Sequence, residues 1–579
     1  MRIMKYLIRY IPLIIISVAL AVVSVYMQLR IPVFVGMAID SIGGGDTFSG
    51  KKLLMYCCYV VMCAGFAGGA QWLMTLLNNS VVNRVSRDIR VKAFDVLQST
   101  PLGYIDSHSA GDIVSRITTD IDQFADGLLL GFSQLFTGVV TIAGTIVFMM
   151  RLDKSIAIMV ILLTPLSLFV AGFISKKTHK YFARQSERRG KLTGYIDEMI
   201  GNEKVVQAFS YEDKAKERFD ALNEHLTEAS FKATFYSSIV NPTTRFVNNI
   251  IYAAVAVVGA FLALSSGITI GNLVTFLSYA NQYMKPFNEI SNVLTEFQNA
   301  LACADRVMQL IEAETETPDK DTDTNLVTVM NGLAEDKRGH VEIENMSFSY
   351  VKDKELLKNL SLSVQPGMRV AIVGPTGSGK STLINLLMRF YEVVEGSIKI
   401  EDTDIRDISR ESLRESFGMV LQETWLKTAS VRDNICYGVK DATDEEVRKA
   451  AELTHADHFI KQLPEGYDTI LSEDGGSLSE GQKQLLCITR VVLNLPPMLI
   501  LDEATSSIDT RTEIRIQNAF AKMMQGRTSF IVAHRLSTIQ SADLILVMKD
   551  GNIIEQGTHT ELLEKKGFYA ELYNAQYTN

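Results

Sequence analysis

Six apolar runs recur through the first half of this 579-residue chain, at approximately 10–29, 53–77, 131–150, 155–175, 247–266 and 271–294. Each is about as long as a helix needs to cross the roughly 30 Å hydrocarbon core of a bilayer, and soluble domains rarely string such runs together. The pattern predicts six membrane spans. Four runs are uninterrupted. The fifth and sixth contain Asn248, Asn249, Asn281, Lys285 and Glu289, which blur their ends.

Charge orients the set. Arg2, Lys5 and Arg9 precede the first run. The two long connections, roughly 78–130 and 176–246, hold Arg84, Arg87, Arg90, Lys92, Lys176, Lys177, Lys180, Arg188, Arg189 and Lys191. The other loops carry little beyond Lys51, Lys52, Arg151 and Lys154. Positive charge stays on the cytoplasmic side, so both termini and both long connections are expected there, in a bacterial-type plasma membrane. The connections are amphipathic and helical in pattern, extending the spans beyond the bilayer. No cleavage pattern follows the first run, so no removable leader is expected.

Past residue 310 the composition changes. Glu312-Ala-Glu-Thr-Glu-Thr-Pro-Asp-Lys-Asp-Thr-Asp-Thr324 is acidic and polar with little to bury. The expected organisation is a membrane domain over 1–310, an acidic linker over 311–338 and a globular domain over 339–579. The net charge of −9 and the lack of a basic arm argue against a nucleic-acid partner. The six cysteines show neither metal-ligand spacing nor a disulfide framework.

Strand and helix patterns alternate through the C-terminal half, giving an α/β domain. Gly374-Pro375-Thr376-Gly377-Ser378-Gly379-Lys380-Ser381 follows the apolar run Val370–Val373 and leads through Thr382 into a helical pattern. Glycines at that spacing let the backbone curl so that successive N–H groups point at phosphate oxygens. The helix N-terminus adds its dipole, the lysine reaches the terminal phosphates and the serine ligates Mg²⁺. This is a loop for a nucleoside triphosphate. Met498-Leu-Ile-Leu-Asp502-Glu503 reads as a buried strand ending in two carboxylates. Asp502 suits indirect Mg²⁺ coordination, and Glu503 suits a general base activating water beside the γ-phosphate.

With these partners in this order, the chain resembles an ATP-binding cassette exporter half-transporter over nearly its whole length. Tyr350 matches the aromatic that stacks on adenine, and Gln422 the glutamine that touches Mg²⁺. Leu478-Ser479-Glu480-Gly481-Gln482 matches the signature, which acts in trans on a second cassette. Asp509 and His534 match the aspartate after the catalytic carboxylate and the switch histidine at the γ-phosphate. Glu473 sits where exporters of this family place a cross-contact. Residues 100–116 look like its first coupling region and 198–209 like the approach to the second. The resemblance implies an all-α six-helix transmembrane domain, followed by an α/β P-loop domain with a helical subdomain. It also implies ATP and Mg²⁺ as ligands, lipid around the spans, a second half-transporter subunit, and an exported small or amphipathic molecule.

One position departs from the pattern. Where the consensus signature has glycine this chain has Glu480, a carboxylate that should repel the polyphosphate of the opposing site. Heterodimeric multidrug-type exporters pair a subunit having an intact catalytic glutamate and altered signature with a partner of the converse kind, and Glu503 with Glu480 fits the first. A homodimeric exporter, an ATP-gated channel and an importer built on the exporter fold are the alternatives. Asn241, Arg245, Asn248 and Asn249 on the fifth span, and Asn281, Gln282, Lys285, Asn288 and Glu289 along the sixth, are candidate pathway residues. Lys285 and Glu289, one turn apart, also suit a simple ion pair.

Overall fold

The structure, a computed structural model, describes residues 4–43, 49–266, 268–320, 325–351, 356–421, 424–439, 441–472, 475–476, 478–502, 510–532 and 536–577. They form two compact units: Met1–Ser99 with Ser109–Ala313, and Thr100–His108 with Glu314–Asn579.

The first unit is helical. Its long helices are α1 (Ile11–Gly43), α2 (Gly50–Gln98), α3 (Phe136–Leu152), α4 (Lys154–Gly201), α5 (Glu212–Ser266) and α6 (Ile270–Ile311). Most of each predicted run lies in one of them. Four stretches among the described residues are long and apolar enough to cross a membrane: Ile11–Ile42, Gly50–Gln98, Ala110–Leu152 and Glu212–Leu264. Several helices run far past their apolar part, as the amphipathic connections lead one to expect. α3 is entered through a helix over Thr119–Leu130 and a π-helical turn over Gly131–Leu135. That turn carries Ser133, which accepts from Asn78 at 3.4 Å, while Asn78 accepts from Ser17 at 2.6 Å. A polar group inside an apolar bundle requires such partners.

The first run does not end at residue 29. α1 continues unbroken to Gly43, because Ile31–Val35 and Met37–Ile39 resume the apolar pattern after Arg30. It packs antiparallel to α6. Tyr279 donates to the Leu29 carbonyl at 2.6 Å and Thr275 to that of Pro32 at 2.9 Å. Gly36 meets Gly271 so closely that a Cβ on either would collide with the other's backbone.

The second unit is α/β. A four-stranded antiparallel sheet has the order β2-β1-β4-β5, where β1 is Val341–Phe348, β2 Leu357–Val364, β4 Glu395–Ile400 and β5 Thr403–Asp404. A six-stranded sheet has the order β10-β9-β3-β8-β7-β6, with β3 Arg369–Val373, β6 Phe417–Val420, β7 Met498–Asp502, β8 Thr528–Val532, β9 Leu544–Lys549 and β10 Asn552–Gly557. β9, β3, β8, β7 and β6 are parallel, and β10 is an antiparallel edge. β3, β7 and β8 are near-continuous apolar runs buried on both faces, as a covered parallel sheet demands. Each fully buried Val, Ile or Leu there contributes about 1.5–3 kcal/mol.

The stretch read as a solvated linker folds with the second unit. Its helix α7 (Leu326–Gly332) sends Leu326 and Met330 into the core beside β1. Upstream, Asp319 meets Arg410 at 2.5 Å and Arg389 at 3.4 Å, and Glu316 meets Arg410 at 3.5 Å. Glu392 meets Arg410 at 2.6 Å. Arg389 and Arg410 are almost wholly buried, and a buried guanidinium needs counter-charge. Glu316 and Asp319 therefore serve an arginine cluster distant in sequence. Arg410→Ala is expected to lower stability by about 3 kcal/mol, the low end for breaking a buried pair because Asp319 and Glu392 are partly solvated. It should appear as a lower Tm of the full chain and faster proteolysis within 314–338. An unchanged cleavage rate would refute the clamp.

The helix Leu102–Ser107, the first half of the predicted coupling region, also belongs to this unit. Gly103 lies against the Tyr391 ring, and the Tyr391 hydroxyl donates to Asp106.

Candidate active site

β3 delivers the loop to the carboxyl end of the parallel sheet, where open α/β sheets bind ligands. Gly374 passes so close to the Met548 carbonyl that a Cβ would stand 2.2 Å from it, and Gly379 has φ +99°, a conformation that favours glycine. The chain then enters helix α8 (Lys380–Leu387), with Leu383 N–H bonded to the Gly379 carbonyl at 3.0 Å. Pro375, Thr376 and Gly377 form the exposed tip, whereas Ser378, Gly379 and Lys380 are buried beneath it.

Two observations mark the loop as built for an anion. The Ser378 hydroxyl is buried, at 2% exposure, with no hydrogen-bond partner among the described residues, and it lies where a Cβ on Gly374 would come within 2.9 Å. Lys380 folds back to donate to the Gly374 and Pro375 carbonyls at 2.8 and 3.0 Å. Burial pushes its ammonium pKa down, and the nearby Asp502 charge opposes that shift. A phosphate in the cradle would supply acceptors to both side chains. Ser381 is exposed at the first turn of α8, and Thr382 accepts from the Tyr350 hydroxyl at 3.2 Å. Tyr350 packs edge-to-face on Phe348 and Tyr391, with centroids at 4.9 Å, leaving its ring 48% exposed.

Asp502 ends β7, one strand removed from β3 across β8, which places its charge near Lys380. Gln422, Glu473, Glu503, Asp509 and His534 lie outside the described residues.

The signature opens helix α9 (Glu480–Leu493). Ser479 caps it reciprocally: its hydroxyl accepts from Gln482 N–H at 3.3 Å, and the Gln482 side chain accepts from Ser479 N–H at 2.9 Å. Leu478 anchors the motif in the core, and Gly481 is buried. Glu480 is not a bare charge. Lys483 donates to it at 2.7 Å and Thr424 at 3.4 Å, and the Lys483 contact holds its carboxyl below the usual range. The expected repulsion is thus partly neutralised one turn away. An i,i+3 pairing of Glu480 with Lys483 was open to inspection in the sequence.

In the first unit, Arg245 and Lys285 are exposed and have no carboxylate partner among the described residues. The side chains of Asn241, Asn288 and Glu289 lie outside them.

A phosphate-binding loop on a parallel sheet, in one chain with a helical membrane unit, defines an ATPase coupled to membrane transport. The model of the ABC transporter transmembrane region matches residues 14–287, and the ABC transporter model matches 357–506. A fatty acid ABC transporter ATP-binding/permease protein of Mycobacterium bovis is 40% identical over 504 residues, covering 87% of this chain and 78% of its own length. An uncharacterized ABC transporter ATP-binding protein of Bacillus subtilis, YfiC, is 37% identical over 100% of this chain and 94% of its own length. An ATP-dependent lipid A-core flippase of Syntrophus aciditrophicus is 34% identical over 88% and 83%. The structure of a bacterial Atm1-family ABC exporter with ATP bound superposes with a TM-score of 0.76 at 28% identity, covering 99% of this chain and 98% of that one. The chain belongs to the ABC transporter family, as an exporter half-transporter. It binds ATP, exports a substrate across a membrane at the expense of ATP hydrolysis, and dimerises with another half-transporter.

Proposed function

We propose that this chain is the hydrolysing half of a heterodimeric exporter that moves an amphipathic molecule out of the cytoplasm. The observation that carries the nucleotide roles is the buried, unpartnered Ser378 hydroxyl beneath a glycine cradle closed by Lys380. In this reading Gly374, Pro375, Thr376, Gly377, Ser378, Gly379, Lys380, Ser381 and Thr382 hold the phosphates, and Tyr350 stacks on the base. Ser381, Gln422 and, through water, Asp502 hold Mg²⁺, which would neutralise developing phosphate charge. Glu503 takes the proton of the attacking water, His534 contacts the γ-phosphate, and Asp509 contributes to the nucleotide site. Leu478, Ser479, Glu480, Gly481 and Gln482 face the partner's nucleotide, presenting the capped N-terminus of α9. ATP favours the closed pair of cassettes, closure turns the spans outward, and hydrolysis resets them. Both termini and the cassette lie on the cytoplasmic side.

Cargo chemistry is supported by relatives named for fatty acid and for lipid A-core, both amphipathic. A partner unlike this chain is supported by Glu503 together with Glu480. The Lys483 pairing keeps a homodimer as the reading to be separated from it, since a neutralised carboxylate hinders closure less. The test is flux in proteoliposomes containing this chain and the subunit purified with it. ATP outside should drive a fluorescent acyl amphiphile to the leaflet remote from the cassettes, against its gradient. Movement that needs ATP but runs only down the gradient would indicate a channel, and the opposite direction an importer.

A further inference from the structure

Arg30 sits inside the first span. At about 1.5 Å per residue it is roughly 28 Å from Ile11 and 20 Å from Gly43 along α1. Placing it outside a core roughly 30 Å thick would push Ile31, Val33, Phe34, Val35 and Met37 out with it. Its described partner is a neutral one. Nε and one terminal nitrogen both donate to the Tyr26 hydroxyl, at 3.2 and 3.0 Å, and the guanidinium lies 5.5 Å from that ring's centre. An arginine offers five N–H donors, and no carboxylate pairs with this one among the described residues. Tyr26 is itself fixed edge-on to Phe148 of α3, which meets Tyr279 of α6. The cation therefore stands on the face of α1 turned toward α3 and α6. A charge at such depth costs about 2.5–3.5 kcal/mol even on insertion scales, and such residues mark pathways rather than lipid-facing surface.

The helix registers place the other span cations on a second level. Tyr279 opposite Leu29 sets Arg30 level with about residue 278 of α6, so Lys285 lies about 11 Å further toward the cytoplasmic extensions. Gly259 of α5 packs on Leu273 of α6, which brings Arg245 to within about 3 Å of the level of Lys285. The spans carry positive charge at two depths, an inner level of Arg245 and Lys285 and an outer level of Arg30.

We propose that Arg30, steadied by Tyr26, is an outer subsite for the oxyanion headgroup of an amphiphilic cargo, a carboxylate or phosphate on an acyl chain, received from Arg245 and Lys285. This rests on the export reading above and adds the charge of the cargo and its second stopping point. A bidentate oxyanion would engage the guanidinium edge that Tyr26 leaves free.

The experiment uses the full chain with its accompanying subunit in phosphatidylcholine nanodiscs, so that no anionic bulk lipid competes. ATPase activity, relative to each variant's own basal rate, is titrated with dodecanoate, dodecyl phosphate and dodecyltrimethylammonium, and binding of the fluorescent fatty acid cis-parinarate is measured alongside. Arg30→Ala is expected to raise the half-stimulating concentration of both anions, and the cis-parinarate Kd, about tenfold or more, the loss of one charge-assisted contact. Arg30→Lys should recover part of the affinity, and the cationic probe should shift equally little in all three proteins. Equal shifts for anions and cation, no shift at all, or loss of the accompanying subunit from Arg30→Ala would overturn the proposal, the last by showing that the guanidinium pairs with the partner. A wild-type complex that answers the cation but neither anion sinks the subsite and leaves the export reading standing. One that answers no amphiphile sinks both.

Discussion

Glu503→Gln is expected to leave ATP binding intact and to lower steady-state ATPase by about 10²–10⁴-fold, the range supplied by a positioned general base. The amide is isosteric with the carboxylate but cannot take the proton of the attacking water. Glu503 directly follows β7, whose Met498–Leu501 run is buried on both faces, so the strand's last residue, Asp502, is held near the Lys380 end of the phosphate loop. Binding should survive because the cradle of Gly374, Ser378, Gly379 and Lys380 is untouched. ATP would then accumulate between closed cassettes, visible as retained nucleotide after gel filtration. Hydrolysis near the wild-type rate would remove Glu503 from the role of base. Lys380→Ala provides the contrast, since it should lose nucleotide retention itself.

The phosphate loop was legible because its chemistry needs particular residue types at fixed spacing within a few residues. β3 and β7 were legible for a related reason: a strand buried on both faces has little freedom to be polar. What the sequence hid are relations between distant residues. Glu316 and Asp319 look solvated until Arg389 and Arg410 are seen to need them, and nothing local to either segment announces the match. Arg30 looks like the end of a span because a single charge interrupts an apolar window. Only the unbroken course of α1 to Gly43, locked by Gly36 against Gly271, shows that the span continues past it. Glu480 reads as an unmet charge for a different reason. The family pattern singles out the missing glycine, whereas Lys483, three residues on, neutralises the carboxylate from outside that pattern.

That pairing sharpens the test of asymmetry. In a heterodimer, Lys380 and Glu503 of this chain work opposite the partner's signature, while Ser479 and Glu480 face the partner's impaired site. Ser479→Arg destroys the reciprocal cap of α9 and sets a cation of the wrong shape where the helix N-terminus should meet phosphate. The cap alone is worth about 1 kcal/mol, so the helix, with Leu485, Leu486 and Ile488 in the core, should persist and the damage should fall on the nucleotide it faces. If that nucleotide is seldom hydrolysed, turnover should fall only about two- to fivefold, within the roughly 1 kcal/mol that such a ratio represents. Glu503→Gln in the same complex should still nearly stop it. In a homodimer Ser479 caps the very site that Glu503 serves, and the two losses should be comparably severe. Steady-state ATPase of both variants, each prepared with whatever subunit accompanies it, separates the cases. Glu480→Gly adds the sign. Against an impaired site, removing a carboxylate already neutralised by Lys483 should leave turnover nearly unchanged, whereas in a homodimer it restores the consensus at both working sites and should raise it. Equal, severe losses with this chain as the sole component, together with a gain from Glu480→Gly, would overturn the heterodimer.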